Sequence, residues 1–252
     1  MVTAMAMANT RRRMHPVLTA MVDFHTHILP GVDDGSHSVE ESLQMLHAMP
    51  EVSCVIATPH FYAWENTPER FLRRRTAAWE QLRERLDDTV PDIRLGAEVC
   101  YFEGICRSDE LHSLCIEGTN VLLLEMPFEK WSSRALHDLL ELGHRAELRV
   151  VLAHAERYES FYHKRDWQHV ADSPIMIQCN AAFFLRLRTR REALRLVKDG
   201  HIHLLGSDCH GAEHRAPNLD EAAQVIRKNL GEDALCEIDR LALRLLDGKG
   251  AE

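Results

Sequence analysis

The sequence lacks several features that would place it in a special class. None of its apolar runs approaches the roughly 18 residues that a membrane-spanning helix needs. Its seven cysteines are odd in number and form no C-x-x-C pair, which argues against a disulfide framework and favours a reducing compartment, the cytoplasm. Positive charge is also scarce, with 30 Lys and Arg against 39 Asp and Glu and a formal net charge of −9. We therefore expect neither nucleic acid nor an anionic membrane as a partner.

Histidine is the residue type in excess. The chain has 16 histidines in 252 residues, and its 45% hydrophobic and 27% charged content is otherwise typical of a globular protein. Histidine is the commonest metal ligand, so the surplus of histidine suggests a functional role such as metal binding. Residues 1–20 carry three consecutive arginines without an apolar segment, and we expect a flexible leader there, followed by one domain over 21–252.

Short apolar runs alternate regularly with helical patterns. Strands are predicted over 22–25, 52–58, 93–99, 121–126, 150–153, 175–179 and 202–206. Ser38 with Glu41 forms a capping box, Thr67 precedes a proline at a first helical position, and further helices are predicted at 190–199, 219–229 and 233–246. No linker interrupts the alternation, which predicts an α/β domain built on a parallel sheet.

Potential metal ligands and acid–base groups follow the strand-like runs. They are His25, His27, Asp34, His60, Glu98, Glu125, His154, Asp208 and His210. Burying a charged group beside a strand costs free energy unless the group is paired. Because side chains alternate along a strand, both imidazoles of His25-x-His27 point to the same side. In a closed barrel the carboxyl ends of parallel strands meet on one face, whereas an open sheet would spread these residues along a line. The pattern therefore favours a barrel with its site on that face.

Nine nitrogen and oxygen ligands exceed what one tetrahedral zinc site uses. They suit two or three divalent ions, an arrangement that clamps the attacking and leaving oxygens of a phosphoester. Imidazole and carboxylate without cysteine favour Mn, Fe or Zn over Ca, and the spacing does not choose among the three.

Six motifs occur in order along the chain: DFHTHILPGVDDGS, ATPHF, GAEV, LLLEMPF, LAHAERY and GSDCHG. They resemble the successive motifs of the PHP (polymerase and histidinol phosphatase) superfamily. Within it, the chain is most similar to the bacterial protein-tyrosine phosphatases of capsule and exopolysaccharide loci, chiefly through VDDGS, the H-x-E-R-Y run and Arg215-Ala216-Pro217. The resemblance extends from Met21 to about Pro217.

This resemblance implies a single-domain, distorted (β/α)7 TIM-like barrel that holds two or three metal ions. The implied ligand sets are His25, His27, Glu98 and Asp208 for the first ion, Glu98, Glu125 and His154 for the second, and Asp34, His60 and His210 for the third. Arg157 corresponds to the substrate-phosphate arginine, and Arg215 would assist it.

The implied activity is hydrolysis of phosphotyrosine. The expected partner is the tail of a bacterial tyrosine kinase that controls capsule or exopolysaccharide synthesis. The candidates for giving a proton to the leaving tyrosinate are Asp34 together with His60 or His210. Tyrosine has a solution pKa near 10, so the tyrosinate leaves with little assistance.

Four alternative functions stand beside this interpretation. The same metal site could serve histidinol phosphate or another small phosphomonoester. An amidohydrolase also opens with His-x-His but bridges its metals through a modified lysine, and no lysine lies near the third or fourth strand end. Cys209 and Arg215 fit the C-x5-R spacing of cysteine-dependent phosphatases, but Glu213 would oppose phosphate, and low-pKa cysteines need a positive setting. A metal-binding module without activity would be expected to lack a ligand or Arg157, and none is missing.

Overall fold

The computed structural model describes residues 21–158 and 164–248, and these residues form a mixed α/β fold on a curled parallel sheet. The predicted leader, 1–20, and the last four residues of the predicted domain, 249–252, lie outside the described residues. The division of the chain into leader and domain therefore stays a prediction.

The described residues contain nine strands in two neighbouring sheets, and every pairing between these strands is parallel. They are β1 (Met21–Thr26), β2 (Val52–Ala57), β3 (His60–Phe61), β4 (Asp92–Leu95), β5 (Glu98–Cys100), β6 (Val121–Glu125), β7 (Arg149–Leu152), β8 (Met176–Asn180) and β9 (Leu204–Gly206). One sheet has the order β1-β2-β4 and the other the order β3-β5-β6-β7-β8-β9. Each predicted apolar run contains a strand, which confirms the parallel α/β prediction.

One predicted strand is divided in the structure, and another is followed by a short strand that was not predicted. The run 93–99 is split into β4 and β5, whereas the run 52–58 forms β2 up to Ala57 and the unpredicted β3 follows Pro59. Pro59 has no N–H to donate, so it cannot continue a ladder on both sides. Hydrogen bonds still cross the two breaks, because Gly96 N donates to Ala57 O at 2.8 Å and Glu98 N donates to Pro59 O at 3.1 Å.

The first strand and the last strand approach each other at their carboxyl ends. Thr26 forms an isolated parallel bridge with Cys209, and His27 N donates to Cys209 O at 3.0 Å. Asp208 N donates to His25 O at 2.8 Å. These bonds hold residues from the two ends of the chain beside one another.

Eight α-helices connect and cover the strands in the described residues. They are α1 (Val39–His47), α2 (Pro68–Arg83), α3 (Ser133–Gly143), α4 (Lys164–Ala171), α5 (Ala181–Leu185), α6 (Arg190–Lys198), α7 (Leu219–Leu230) and α8 (Glu232–Leu246). The predicted N-caps are confirmed: Ser38 accepts from Glu41 N at 3.2 Å, and Thr67 accepts from Arg70 N at 3.4 Å. Among these helices none has the length and apolarity that crossing a membrane would require.

The core follows the period-two alternation of the strands. In β6, Val121 and Leu123 belong to a cluster that also contains Ala242 and Leu245 of α8, whereas Leu122 and Leu124 belong to the larger cluster. Helix α8 also packs against β1 and β9. Helix α8 therefore covers one set of strand residues, while buried polar side chains lie at the carboxyl ends of the strands.

A buried carboxylate joins α8 to the first strand. Asp239 Oδ1 accepts from Val22 N at 3.3 Å, while Asp239 Oδ2 has no hydrogen-bond partner among the residues that the structure describes. Burial raises the pKa of Asp239 to about 7. The folded chain therefore holds a proton on this carboxyl at pH values where the unfolded chain has lost it.

We expect Asp239→Asn to change how stability depends on pH. In the native chain, Asp239 contributes fully to the free energy of unfolding below about pH 4, and this contribution is lost as pH rises through about 7. The reason is that the pKa of Asp239 is higher in the folded chain than in the unfolded chain. An asparagine still accepts from Val22 N and does not titrate. The variant should gain roughly 2–4 kcal/mol of unfolding free energy, relative to the native chain, between pH 4.5 and pH 8. Urea unfolding at the two pH values measures this gain, and parallel pH profiles of the two proteins would contradict it.

Candidate metal centre

The structure brings the nine side chains predicted as metal ligands together at the carboxyl ends of the strands. We call them the nine-residue cluster: His25, His27, Asp34, His60, Glu98, Glu125, His154, Asp208 and His210. Seven of them are buried; His60 is partly exposed, and the side chain of Asp34 is 68% exposed.

Backbone geometry at the cluster requires glycine in two places. A Cβ on Gly35 would lie 2.3 Å from His27 O, and a Cβ on Gly206 would lie 2.6 Å from His25 Cβ. Both glycines therefore let the main chain pass directly behind the histidine pair. The only described non-glycine residues with positive φ are also here: His154 at 32°, Asp208 at 53° and Arg215 at 51°. Such strained conformations concentrate at functional sites.

The first set of ligand atoms surrounds a single point. His25 Nε2 lies 3.1 Å from His27 Nε2, 3.2 Å from Glu98 Oε2 and 3.7 Å from Asp208 Oδ1. His27 Nε2 lies 3.4 Å from Glu98 Oε2 and 3.5 Å from Asp208 Oδ1. Ligand bonds of about 2.1 Å in a tetrahedron would separate the ligand atoms by about 3.4 Å. These four side chains therefore have the spacing of a metal-binding set.

Glu98 also faces a second set through its other oxygen. Glu98 Oε1 lies 2.8 Å from His154 Nε2, which is in turn 3.3 Å from Glu125 Oε1. His60 Nδ1 approaches Glu98 Oε2 at 2.9 Å. Glu98 is thus the carboxylate common to several groups of potential ligands, as a bridging ligand would be.

The third predicted set lies on the solvent side. Asp34 Oδ1 is 3.5 Å from both His60 Nε2 and His210 Nε2, and His27 belongs to the same group of potential ligands. Burial, followed by the charge of His27, lowers the pKa of His210 to about 4. The imidazole of His210 is therefore neutral at pH 7 and can offer a lone pair to a cation.

Unpaired atoms in the cluster support a metal-binding role. His154 Nδ1 and His210 Nε2 are buried and make no hydrogen bond within the described chain, and the buried pair His60 Nδ1 and Glu98 Oε2, although 2.9 Å apart, does not have hydrogen-bond geometry. Leaving a buried polar atom unpaired costs about 1–3 kcal/mol, and a bound cation would satisfy such atoms. Imidazole nitrogens and carboxylate oxygens are the ligands that Mn, Fe and Zn accept. The donor set fits divalent cations.

The sequence analysis missed residues that orient the potential ligands. Asp33 Oδ2 lies 2.7 Å from His27 Nδ1 and accepts from His60 N at 2.9 Å. Burial alone would raise the pKa of Asp33, but the charge and hydrogen bond of His27 hold that pKa well below its usual range. Metal-binding histidines commonly pair their second ring nitrogen with a carboxylate in this way.

Strand β8 supplies two further orienting residues. Gln178 Oε1 lies 3.2 Å from His25 Nδ1 and accepts from His154 N at 2.7 Å. Asn180 Nδ2 donates to Asp208 Oδ2 at 2.8 Å. Both amides face the cluster because they are two residues apart on one strand. Two polar side chains at this spacing in an apolar strand were the feature of the sequence that could have predicted them.

Two arginines lie at the edge of the nine-residue cluster. Arg157 Nη1 is 3.5 Å from Asp208 Oδ2, and Arg215 Nη2 is 2.7 Å from the same oxygen. Their side chains are 42% and 38% exposed, so both guanidinium groups can reach a ligand from solvent. A groove of about 610 Å³ runs from Asp34 and His210 past Arg215 and along the first turns of α1. The site is therefore open to a large substrate.

The thiol of Cys209 is not placed for nucleophilic attack. Its side chain is fully buried, and burial, followed by the charge of Asp23, raises its pKa well above the usual value. A thiolate nucleophile needs exposure and a lowered pKa. The burial of Cys209 therefore argues against the C-x5-R alternative.

Comparison with known proteins gives consistent results for sequence and fold. A family model described as "Capsular polysaccharide synthesis, CpsB/CapC" matches residues 21–241. The chain is 28% identical over 228 residues to the tyrosine-protein phosphatase YwqE of Bacillus subtilis, covering 84% of this chain and 86% of that protein. It is 25% identical over 229 residues to the tyrosine-protein phosphatase CpsB of Streptococcus agalactiae, covering 84% and 92%.

Solved structures extend this comparison. The chain matches a structure from the work described as crystal structures of YwqE from Bacillus subtilis and CpsB from Streptococcus pneumoniae, unique metal-dependent tyrosine phosphatases. The TM-score is 0.77 at 25% identity, and the match covers 92% of this chain and 96% of the solved chain. Dihydropyrimidinase from Brevibacillus agri gives a TM-score of 0.54 at 9% identity, covering 89% and 70%. The second likeness concerns the fold alone.

Proposed function

The chain belongs to the CpsB/CapC family of capsular polysaccharide synthesis, and from this premise we propose that it is a metal-dependent protein-tyrosine phosphatase. One observation carries the proposal: nine metal-ligand side chains converge around Glu98, with Arg157 and Arg215 at the open edge. The relatives named tyrosine-protein phosphatases support the same reaction.

We assign two or three divalent ions, of Mn, Fe or Zn, to the nine-residue cluster. His25, His27, Glu98 and Asp208 would hold the first ion, Glu98, Glu125 and His154 the second, and Asp34, His60 and His210 the third. The shared position of Glu98 supports its role as a bridge. When bound, such ions supply concentrated positive charge and a nucleophile active at neutral pH.

The arginines act on the phosphate. Arg157 and Arg215 present planar forks of N–H donors that suit two phosphate oxygens each and stabilise the charge that develops during transfer. Asp208 holds both guanidinium groups on the side of the cluster where the substrate enters. In a form that holds two ions, Asp34 and His60 are the candidates for giving a proton to the leaving tyrosinate oxygen, because Asp34 is exposed and its Oδ1 lies 3.5 Å from His60 Nε2. As ligands of a third ion they would carry no proton, and that ion would then stabilise the leaving oxygen.

The physiological substrate we propose is a phosphotyrosine-bearing protein, in particular the tail of a bacterial tyrosine kinase that controls capsule or exopolysaccharide synthesis, in the cytoplasm. The open groove beside Asp34 supports a peptide substrate. We also propose that the sheet is a closed, distorted (β/α)7 barrel. Counting β2 with β3 and β4 with β5 as single bent strands gives seven, and the Thr26–Cys209 bridge supports closure.

A comparison of substrates tests the proposed function. The metal-loaded enzyme should hydrolyse phosphotyrosyl peptides with a kcat/KM at least about tenfold above that for histidinol phosphate, because only the peptide can use the groove as well as the phosphate site. Metal content is measured on the same samples. A preference for histidinol phosphate would favour the small-substrate alternative.

Replacing Cys209 tests the thiol mechanism independently. We expect Cys209→Ser to keep kcat within about twofold, because the side chain is buried and reaches no substrate. A thiol enzyme would instead lose its nucleophile and all measurable turnover. Steady-state rates on a phosphotyrosyl peptide, with the melting temperature as a check on folding, distinguish the two results.

A further inference from the structure

We propose that Phe128 is a positioning residue whose ring holds the guanidinium of Arg157 in the orientation that binds the substrate phosphate. The inference rests on the proposed function, since it takes Arg157 as the phosphate-binding arginine. Phe128 is not one of the nine potential metal ligands, and its side chain has no polar atom.

The first step concerns how weakly polar contacts fix Arg157. Within the part of the chain that the structure describes, the polar contact of its guanidinium is the 3.5 Å approach of Nη1 to Asp208 Oδ2. That oxygen already accepts from Arg215 Nη2 at 2.7 Å and from Asn180 Nδ2 at 2.8 Å. Asp208 therefore attracts Arg157 by charge but has little capacity left to define the plane of its guanidinium.

The second step concerns the ring beneath that guanidinium. Arg157 Cζ lies 4.2 Å from the centroid of the Phe128 ring, well inside the range of about 6 Å for a cation–π contact. A guanidinium held by its face keeps its in-plane N–H donors free, and these are the donors that bind phosphate oxygens in pairs. The ring can thus fix the orientation of Arg157 without competing for its hydrogen bonds.

The third step concerns why the ring itself is rigid. Phe128 stacks on Tyr158 at 5.5 Å and 24° and lies 5.4 Å from the ring of His154. Tyr158 is fully buried, its hydroxyl accepts from Met126 N at 2.9 Å, and its ring meets Trp131 edge-on at 5.3 Å. A side chain that is 40% exposed is therefore anchored from below, as a platform for Arg157 must be.

The experiment compares Phe128→Leu, which removes the ring, with Phe128→Tyr, which keeps it, each alone and combined with Arg157→Ala. In the metal-loaded enzyme, Phe128→Leu should weaken inhibition by inorganic phosphate about fivefold and raise KM for a phosphotyrosyl peptide by a similar factor. Phe128→Tyr should stay within about twofold of the native enzyme. In the Arg157→Ala background, Phe128→Leu should add nothing, because the two changes remove the same interaction.

A second readout does not depend on turnover. In protein labelled with ¹⁵N-arginine, the Nε–H resonance of Arg157 should carry the ring-current shift of an aromatic face. That shift should disappear in Phe128→Leu and persist in Phe128→Tyr. A purely structural role for Phe128 would instead lower the melting temperature and leave phosphate inhibition unchanged.

Three results would overturn the inference. The first is an unchanged Arg157 resonance in Phe128→Leu, and the second is an equal loss of phosphate affinity with and without Arg157. The third is a loss confined to aryl phosphates while inorganic phosphate binds normally, which would mean that Phe128 contacts the ring of the substrate. If the native enzyme fails to hydrolyse phosphotyrosyl peptides, the proposed function fails, and phosphate binding and the Arg157 resonance still decide the role of Phe128.

Discussion

Glu98→Gln is expected to lower kcat on a phosphotyrosyl peptide by at least about a thousandfold, since several kcal/mol of charge stabilisation would be lost. Both carboxylate oxygens of Glu98 face potential ligands: Oε2 lies 3.2 Å from His25 Nε2, and Oε1 lies 2.8 Å from His154 Nε2. A glutamine retains the shape but loses the negative charge, and its amide nitrogen has no lone pair to give to a cation. Metal content should fall together with kcat.

Asp138→Asn is the matched control for Glu98→Gln, because Asp138 is an equally buried carboxylate outside the nine-residue cluster. Asp138 accepts hydrogen bonds from Tyr101, Gly104 and Arg134, so this variant should lose stability but keep metal content and most of kcat. Initial rates, metal analysis and melting temperatures are measured for both variants. A Glu98→Gln enzyme with native metal content and at least a tenth of native kcat would contradict the bridging role.

The positions of the titratable residues could be predicted because they depend on local rules. His25 and His27 share a side through the period of a strand, and Glu98 and Glu125 stand out as charges after apolar runs. Parallel strands then bring their carboxyl ends to one face whatever the loops do. These rules predict which residues come together, and the individual contacts depend on tertiary structure.

The residues that orient the ligands could not be predicted in the same way. Asp33 and Asp34 are adjacent in sequence, and only the turn that brings Gly35 against His27 decides that Asp33 faces inward and Asp34 outward. Gln178 and Asn180 are neutral amides, so a search for titratable ligands passes over them. The contact between Phe128 and Arg157 joins the loop after β6 to the turn after β7, and no local pattern specifies it.

The fold shows the same division between local and tertiary information. Capping at Ser38 and Thr67 was predicted, because each cap needs only a hydroxyl one turn before its partner. The breaks between β2 and β3 and between β4 and β5 occur side by side, where Pro59 interrupts one strand and its neighbour follows the same bend. Pro59, directly after the predicted run 52–58, was visible in the sequence, but its effect on the neighbouring strand was not.

Removal of the metal ions is expected to abolish activity and to destabilise the folded chain. The nine-residue cluster brings the carboxylates of Glu98, Glu125 and Asp208 into one buried region, where bound cations would compensate their like charges. Ions that bind the folded state and not the unfolded state raise stability in proportion to the logarithm of their concentration over Kd. Exhaustive chelation should therefore lower kcat by more than about a thousandfold and lower the melting temperature as well.

Addition of Mn²⁺, Fe²⁺ or Zn²⁺ to the chelated protein should restore both properties together, since the same side chains hold the ions and the local fold. The ion that restores the highest rate identifies the metal preferred for catalysis. Chelator already saturated with the same ion is the control, because it should leave rate and melting temperature unchanged. Cys209→Ser should respond to chelation as the native enzyme does, since its thiol is buried away from the substrate. Full activity after chelation, with no metal left by elemental analysis, would contradict the metal-dependent mechanism, because the arginines alone bind phosphate without activating a nucleophile.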